Sequence, residues 1–541
     1  MADRYWVGGT ANWDSAAGTK WATTSGGAGG ASVPTTADDV FFDNLSTGTV
    51  TIAAGNTGAK SINCTGFTGT ISGTVSITVA GSVILSSGMT YNRTGVTAIT
   101  GTGTITSAGK TFGNITMDGV GITVTLGDSV ISSGFVGLTS GTLNLNNWTL
   151  TADSFASSNS NARTIAFGTG KIVITGTAGW TTLTTTNLTI SGTPVVDVTN
   201  SGSVSVTVSP GNPTVANTIS FNFTAGTYAL GVSGNVRSLN FTGFSGTLSN
   251  AARSVAGSIV FSSGMTVSAG TSATTFNATS GGNTITTNGK TLDFPITFNG
   301  VGGAWQLQDA LTLGSTRTMT LTNGSFDAAT YSVTLGLFSS TNSNTRTISM
   351  GSGLWTLAGT GTVWTTATAT NLTFNKGTAD ILLSSGSATA RSFAGGGLSF
   401  NKITIGGATG SSTTNLQAIN ATEFASTKPV AHTITITSAT ALSFATWSVS
   451  GTAGNVVTLN SSVAGTRRTF NLTNVTSGID YLAVQDMECL QADRFYVGAN
   501  STDNGNNVNV YFTASPSVNV KTIFKNVFSP VFKQILRPIF A

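Results

Sequence analysis

The sequence predicts an all-β protein, built as an elongated β-solenoid in which short strands stack coil on coil. Segments such as ITVTL and KIVIT alternate apolar residues with Thr, Ser or Asn, the period of a strand with one buried face. Glycine-containing turn signals separate these segments at intervals of about 8 to 12 residues. Only 8% of the 541 residues are charged, and helix formers such as Glu, Lys, Gln and Arg are scarce.

An internal duplication supports the solenoid. The segment SINCTGFTGTIS, which begins at Ser61, returns as SLNFTGFSGTLS at Ser238, and further matches follow in the same order. The distance along the chain between matching segments is about 180 residues, and it changes by a few residues from one match to the next. A stack of coils tolerates such insertions at its turns. We therefore expect a duplicated unit with Phe67 and Phe244 at equivalent inner positions. The alternative is a chain of tandem β-sandwich domains of about 90–100 residues each.

Changes in residue composition and in the pattern of short strands divide the chain into six predicted segments. They are a Trp- and Gly-rich N-terminal cap (1–60), two β-repeat units (61–237 and 238–390), further β coils (391–464), a C-terminal β cap (465–515) and a basic, apolar tail (516–541). Caps are expected because the ends of a stack of coils expose unpaired strand edges.

The two ends carry the most distinctive motifs. The N-terminal one has WVGG from Trp6, further tryptophans at Trp13 and Trp21, a Gly-rich stretch, and VPT from Val33. This pattern resembles the opening module of β-repeat surface proteins of bacteria and of phage structural proteins, and Asp480–Phe512 looks like the closing segment of that group. The resemblance implies a tail-fibre-like or spike-like phage protein, or a bacterial surface protein. No secretory signal peptide is visible, which favours the phage particle.

Five tryptophans are the first candidates for a functional role. Trp180 and Trp364 occupy equivalent places in the two repeat units, so one hypothesis is an exposed aromatic ladder that binds glycans. The alternative is that both are buried in equivalent coils. Trp6, Trp13 and Trp21 lie close together in the sequence, and we predict that they form a structural cap that closes the stack.

The acidic residues do not suggest a catalytic pair. A glycosidase needs two positioned carboxylates. Asp128 of the first repeat matches Asp309 of the second, but Asp118 matches Asn299. We expect Asp128 and Asp309 to occupy turns, and we predict that the protein is not an enzyme.

Metal and redox chemistry are not expected either. One histidine and two cysteines provide too few ligands for a zinc site built from Cys and His. Turn chemistry accounts for the oxygen-rich stretch that starts at Asp503 at least as well as a calcium site does. We predict no metal and no cofactor, with Cys64 and Cys489 as buried free thiols. The counterpart of Cys64 in the second repeat is Phe241, which indicates a core position.

The last segment holds the whole net charge of +4, because no acidic residue follows Asp503. Its basic residues are Lys521, Lys525, Lys533 and Arg537, and its aromatic residues are Phe524, Phe528, Phe532 and Phe540. We predict that this tail docks in a groove of another virion protein, with the aromatic residues as anchors. The alternatives are that it folds back over its own stack or contacts a membrane. The rest of the chain is formally neutral, which argues against binding to nucleic acid.

These features together predict a non-enzymatic structural protein of a phage virion, a tail fibre or spike that contributes to host-surface attachment. Its expected partners are other virion proteins and a host surface glycan, and we expect a homo-oligomer, a trimer. The alternatives are an adhesin at the bacterial cell surface and a tailspike polysaccharide depolymerase.

Overall fold

The structure is a computed structural model that describes residues 2–53, 57–202, 206–211 and 218–516. These residues form two compact units. The first holds the described residues up to Gly353 together with Thr370–Gly377, and the second holds Leu354–Ala369 and the described residues from Thr378 onward. The boundaries of the six predicted segments remain predictions.

Both units consist of strands and turns, and the described residues contain no α-helix. The strands of the first unit are Asp3–Trp6, Ala11–Trp13, Trp21–Ala22, Asp39–Phe41, Thr49–Ile52, Gly58–Ala59, Ser61–Asn63, Thr70–Gly73, Ile77–Val79, Val83–Ile84, Thr90–Arg93, Thr97–Ile99, Gly103–Thr106, Thr111–Phe112, Ile115–Leu126, Val130–Ser132, Phe135–Asn144, Thr149–Ala152, Ser154–Ala156, Arg163–Ala166, Lys171–Ile174, Trp180–Thr181, Leu188–Ser191, Val195–Val198, Val206–Ser209, Ser220–Phe223, Ala229–Val232, Gly234–Val236, Leu239–Asn240, Thr247–Leu248, Arg253–Val255, Ile259–Val260, Thr266–Val267, Thr274–Phe276, Asn283–Thr286, Thr291–Leu292, Ile296–Leu307, Leu311–Leu313, Thr318–Asp327, Val333–Leu335, Leu337–Ser339, Arg346–Ser349 and Leu372–Asn375. The strands of the second unit are Trp355–Leu357, Gly361–Thr365, Asp380–Leu383, Arg391–Ala394, Ser399–Ile405, Thr413–Gln417, Asn420–Ser426, His432–Ile436, Leu442–Ser448, Val457–Ser461, Arg468–Leu472, Leu482–Gln485, Met487–Cys489, Phe495–Tyr496, Thr502–Asp503 and Val510–Tyr511.

In the first unit, strands of successive coils pair in parallel and in register. Leu143 pairs with Ile165, and Ile165 pairs with Ile190 on the following coil. Hydrogen bonds between neighbouring coils join residues such as Asn146 and Leu126, 20 positions apart. Side chains along Arg163–Ala166 alternate between buried and half-buried, because successive residues of a strand point to opposite faces. The first unit is therefore a β-solenoid, as predicted.

The second unit has the same construction. His432–Ile436 pairs in parallel with Val457–Ser461, which pairs in parallel with Leu482–Gln485. Along His432–Ile436 every other side chain is buried. The alternative of tandem β-sandwich domains is wrong, because a sandwich is built from antiparallel sheets.

The duplication is confirmed at the inner positions of the first unit. Phe67 and Phe244 are both fully buried, and each closes the same kind of turn. The backbone N–H of Phe67 donates to the Cys64 carbonyl at 3.0 Å, and that of Phe244 donates to the Phe241 carbonyl at 2.9 Å. Burial raises the pKa of the Cys64 thiol, and both Cys64 and Cys489 are buried and free, as predicted.

Two equivalent arginines, Arg163 and Arg346, are buried at coil corners of the first unit. The Arg163 guanidinium donates to four carbonyl oxygens on two successive corner loops, those of Ser157, Asn161, Thr184 and Thr186. Arg346 donates in the same way to the carbonyls of Ser340, Asn342, Asn344 and Thr370. Burial lowers the pKa of both groups. Each arginine therefore ties two successive corner loops together through charge-assisted hydrogen bonds to their carbonyls.

Candidate functional site

Trp180 and Trp364 do not form an exposed ladder. Both indoles are fully buried, and each indole N–H donates to a threonine hydroxyl two residues later, at 3.0 Å for Thr182 and 3.1 Å for Thr366. The Trp180 ring also stacks on Phe155 with centroids 4.5 Å apart. The hypothesis that these two residues bind glycans is therefore wrong. Their size is used to fill the interior of a coil, where the indole N–H still has a partner.

The three N-terminal tryptophans form one buried cluster. Trp21 packs edge-on against Trp6 and Trp13, with ring centroids 5.0 Å and 5.2 Å apart, and all three contact Phe42. The strand Trp21–Ala22 runs antiparallel to Asp3–Trp6, unlike the parallel ladders that follow. Because the indoles are buried, the cluster supports the first coils from inside and offers no ring to a ligand.

An outward-facing groove of about 410 Å³ lies on the first coils of the first unit. One part of its lining is Phe41, whose ring is stacked on Tyr5 with centroids 4.8 Å apart and an interplanar angle of 15°. Both rings are partly exposed, because Tyr5 and Phe41 are paired neighbours on the outer side of parallel strands. We call this site the Phe41 groove; its polar lining residues are Asp39, Lys60, Ser61, Asn63, Ser82 and Thr102.

A charged pair lies next to this aromatic stack. Lys60 Nζ lies 2.9 Å from an Asp39 carboxylate oxygen, and Ser61 donates a hydrogen bond to the other oxygen. Burial raises the pKa of Asp39, but the hydrogen bonds from Ser61 and Lys60 lower it more, so the pKa lies below its ordinary value. Asp39 is therefore ionised at neutral pH, and Lys60 balances its charge.

The Phe41 groove combines the groups that a sugar ring can use. The partly exposed Phe41 ring lies on the outer face together with Asp39, two residues earlier on its strand, and Asn63, its pair on the next coil. Aromatic, carboxylate and amide side chains are the groups that proteins use to contact sugars. Sequence reasoning missed Tyr5 and Phe41, although each directly precedes a buried aromatic residue and so lies on the opposite face of its strand. That alternation was the available signal.

The matched carboxylates of the two repeats hold turns. Asp128 accepts hydrogen bonds from the backbone N–H of Ser107, at 2.7 Å, and of the residue after it. Asp309 does the same for Thr287, at 2.7 Å, and its successor. Both carboxylates lie at coil turns, as expected, and they are used by the backbone.

The C-terminal acidic residues are also engaged by their own coils. Asp503 accepts from the backbone N–H of Gly505 at 2.9 Å and from the side chain of Asn507 at 2.6 Å. Within the described ranges, no three side chains of His, Cys, Asp or Glu are grouped to hold a metal ion. The same ranges contain no helix with the length and apolar character needed to cross a bilayer.

The C-terminal tail is predicted to dock on another virion protein. Its basic and aromatic residues, from Lys521 to Phe540, lie outside the described residues.

Comparisons with family models, curated proteins and solved structures found no match for the chain.

Proposed function

We propose that this protein is a non-enzymatic structural component of a phage particle, a fibre or spike that contributes to host-surface attachment. The observation that supports the proposal is the β-solenoid fold of both units, which is typical of phage tail fibres and tailspikes. The proposal includes docking of the C-terminal tail on another virion protein and assembly of three copies.

The outer face of the coils suits contact with polysaccharide. Thr142, Thr164 and Thr189 pair across three successive coils and form a row of half-buried to exposed hydroxyl groups. Neighbouring parallel strands lie about 4.8 Å apart, so such rows repeat at a short, regular spacing. Hydroxyl and amide groups form hydrogen bonds with sugars, and the Phe41 groove adds an exposed aromatic ring. These features support a host glycan as the ligand.

The location of the protein is tested by mass spectrometry of purified phage particles. The expected result is that peptides of this chain occur in the particles at a stoichiometric level. A chain found only on the surface of bacterial cells would instead be an adhesin, and the proposal would be overturned. Release of oligosaccharide from host capsule by the purified protein would replace the proposal with a depolymerase.

Attachment is tested with the double variant Tyr5→Ala/Phe41→Ala. Loss of both stacked rings is expected to reduce binding of particles to host cells by about tenfold. Trp148→Ala removes another partly exposed aromatic side chain and is the matched control, with binding expected to stay unchanged. If the Tyr5→Ala/Phe41→Ala variant binds host cells as well as the unaltered protein does, the Phe41 groove is excluded from attachment.

The docking part is tested with a chain that ends at Ser515. We expect this chain to be folded but absent from particles. Normal incorporation of the shortened chain would show that the tail is not the anchor.

A further inference from the structure

A second groove opens on the outer face of the first unit, within the second repeat, and has a volume of about 570 Å³. Its lining includes one apolar side chain, Val301, which is 72% exposed. The other lining residues are polar, charged or glycine. Backbone of Gly303 and Gly324 also lines it. We call this site the Val301 groove. Its volume lies within the range of small-molecule binding sites, about 300–1,000 Å³.

The loop beside the groove differs between the repeats at one inward-facing position. The equivalent loop of the first repeat has Ile122 where the second has Gly303. The side chain of Ile122 is buried and lies so close to Gly141 that a Cβ added there would be 2.7 Å from it. In the second repeat, a Cβ added at Gly303 would lie 2.7 Å from the ring of Trp305. The second repeat therefore keeps a bare backbone where the first has an aliphatic side chain.

A pair of asparagines lies at the edge of the Val301 groove: Asn323 lines it, and Asn299 is the neighbour of Asn323 on the preceding coil. The side chain of Asn323, which lines the groove, donates to the side-chain carbonyl of Asn299 at 2.7 Å. This bond leaves the amide N–H groups of Asn299 and the carbonyl oxygen of Asn323 for other partners. The pair therefore offers one amide donor group and one amide acceptor.

The adjoining wall of the groove includes one charged residue, the buried Arg346. This wall is formed by the loop Ser343–Thr345, which follows Asn342 and precedes the buried Arg346. The Arg346 guanidinium, whose residue is only 1% exposed, donates to the carbonyls of Asn342 and Asn344 at 2.6 Å each. The positive charge is thus directed into the corner and not toward a ligand. An uncharged ligand is favoured.

We propose that the Val301 groove binds an uncharged oligosaccharide that carries N-acetylamino groups. Because the C=O and N–H of a trans amide point in opposite directions, an acetamido group uses one of them here: its carbonyl accepts from Asn299 or its N–H donates to Asn323. The acetyl methyl group packs on Val301. This inference rests on the proposed attachment function for the source of the ligand, a polysaccharide of the host surface. It adds to that function the chemical class of the ligand and a second site.

The first repeat provides an internal contrast. Asp118 stands where the second repeat has Asn299, and Ser140 stands where it has Asn323. Ser140 donates its hydroxyl to Asp118 at 2.9 Å. A carboxylate offers acceptors only, so this pair has no amide N–H to give to an acetamido carbonyl. The surface around Val120 should therefore not bind the same ligand.

The test titrates the purified full-length chain with chitotriose, the trimer of N-acetylglucosamine, and with cellotriose, which lacks the acetamido groups. Isothermal titration calorimetry measures both affinities. Chitotriose is expected to bind at least about tenfold more tightly than cellotriose. The double variant Asn299→Asp/Asn323→Ser, which copies the pair of the first repeat, is expected to lose at least about tenfold in affinity for chitotriose.

A matched pair of variants separates the groove from the rest of the surface. Val301→Ser is expected to weaken chitotriose binding about threefold, and Val120→Ser, at the equivalent exposed valine, should leave it unchanged. Circular dichroism and thermal unfolding verify that each variant is folded.

Equal affinity for the two trisaccharides would overturn the inference. So would unchanged affinity in the asparagine double variant, or no binding of chitotriose by the natural chain up to about 10 mM. These outcomes do not depend on where the protein is located, so they are distinguishable from its absence from phage particles.

Discussion

The loops around Val120 and Val301 are two versions of one duplicated element. Each is a Gly-Val-Gly turn within a 12-residue strand, and in each the pairing register with the next coil shifts at the turn. The valine is 91% exposed in the first repeat and 72% exposed in the second. The residue before the turn differs, since Asp118 corresponds to Asn299. The turn and its strand pairing are therefore the same in both repeats, but the residue before the turn is charged in the first and neutral in the second.

The interior under the two loops has changed together with the rim. Ile122 and Val124 of the first repeat correspond to Gly303 and Trp305 of the second, and Val124 and Trp305 are both buried. The second repeat thus has a larger core side chain and a smaller loop side chain. A Cβ at Gly303 would lie 2.3 Å from the Ala278 carbonyl oxygen and 2.7 Å from the Trp305 ring, so the close-packed interior disfavours a side chain there.

The largest expected effect tests what the two repeats share. Arg163→Met and Arg346→Met should each lower the free energy of unfolding by about 4–6 kcal/mol, because each loses four hydrogen bonds from a charged group, at about 1.5–3 kcal/mol each before water replaces part of them. Urea unfolding followed by circular dichroism measures the loss. Lysine at either position restores only part of it, since an ammonium group cannot reach both corner loops. A small effect at one position only would mean that the corners are not equivalent.

The next effect concerns the duplicated core. Phe67→Ala and Phe244→Ala should each lower the free energy of unfolding by about 3–5 kcal/mol, because both rings are fully buried. The same urea experiment compares them. Leu45→Ala, at an exposed leucine of the first unit, is a control that should have little effect. Losses that differ by more than about 2 kcal/mol would break the proposed equivalence of the two positions.

A smaller effect sharpens the difference between the repeats. Gly303→Ala should lower the free energy of unfolding by about 1–3 kcal/mol, because its Cβ would lie 2.3 Å from the Ala278 carbonyl oxygen and 2.7 Å from Trp305. Thermal unfolding detects this change. Adding Trp305→Val is expected to relieve only the contact with the ring. If Gly303→Ala is neutral, the bare backbone of the groove is not required by packing.

The smallest effect compares both repeats with the N-terminal region, residues 2–53. A hydrogen bond from Lys20 lowers the pKa of Asp14, and those from Ser61 and Lys60 lower the pKa of Asp39 against the effect of burial. A folded pKa below the unfolded value of about 3.9 means that the stabilisation is present above that pH. It is lost as the pH falls through the folded pKa.

Acid should therefore loosen residues 2–53 before the duplicated coils, starting as the pH falls below about 4. Hydrogen exchange, corrected for intrinsic rates, measures this at pH 6 and pH 3. Loss of protection in the two repeats first, or in all three regions together, would contradict the expectation.

The sequence was sufficient where the signal is local. Alternation over four or five residues and regular turn signals predicted the solenoid, and colinear matches predicted that Phe67 and Phe244 are equivalent. The matched pair Cys64 and Phe241 likewise identified a core position. At Trp180 the sequence left burial and an exposed ladder both open, and the structure confirms burial; this residue begins a two-residue strand. Such a strand is too short for alternation to show which face the side chain occupies.

The sequence by itself determined the fold class, the duplication and the buried positions, because strand period and turn chemistry act over a few neighbouring residues. Only the tertiary structure decided which outward side chains meet. Parallel stacking brings Phe41 onto Tyr5 and Asn323 onto Asn299, residues separated by a full coil or more of chain. The Val301 groove is lined by residues of three successive coils. Both grooves follow from contacts between coils, which the order of residues in one coil does not contain.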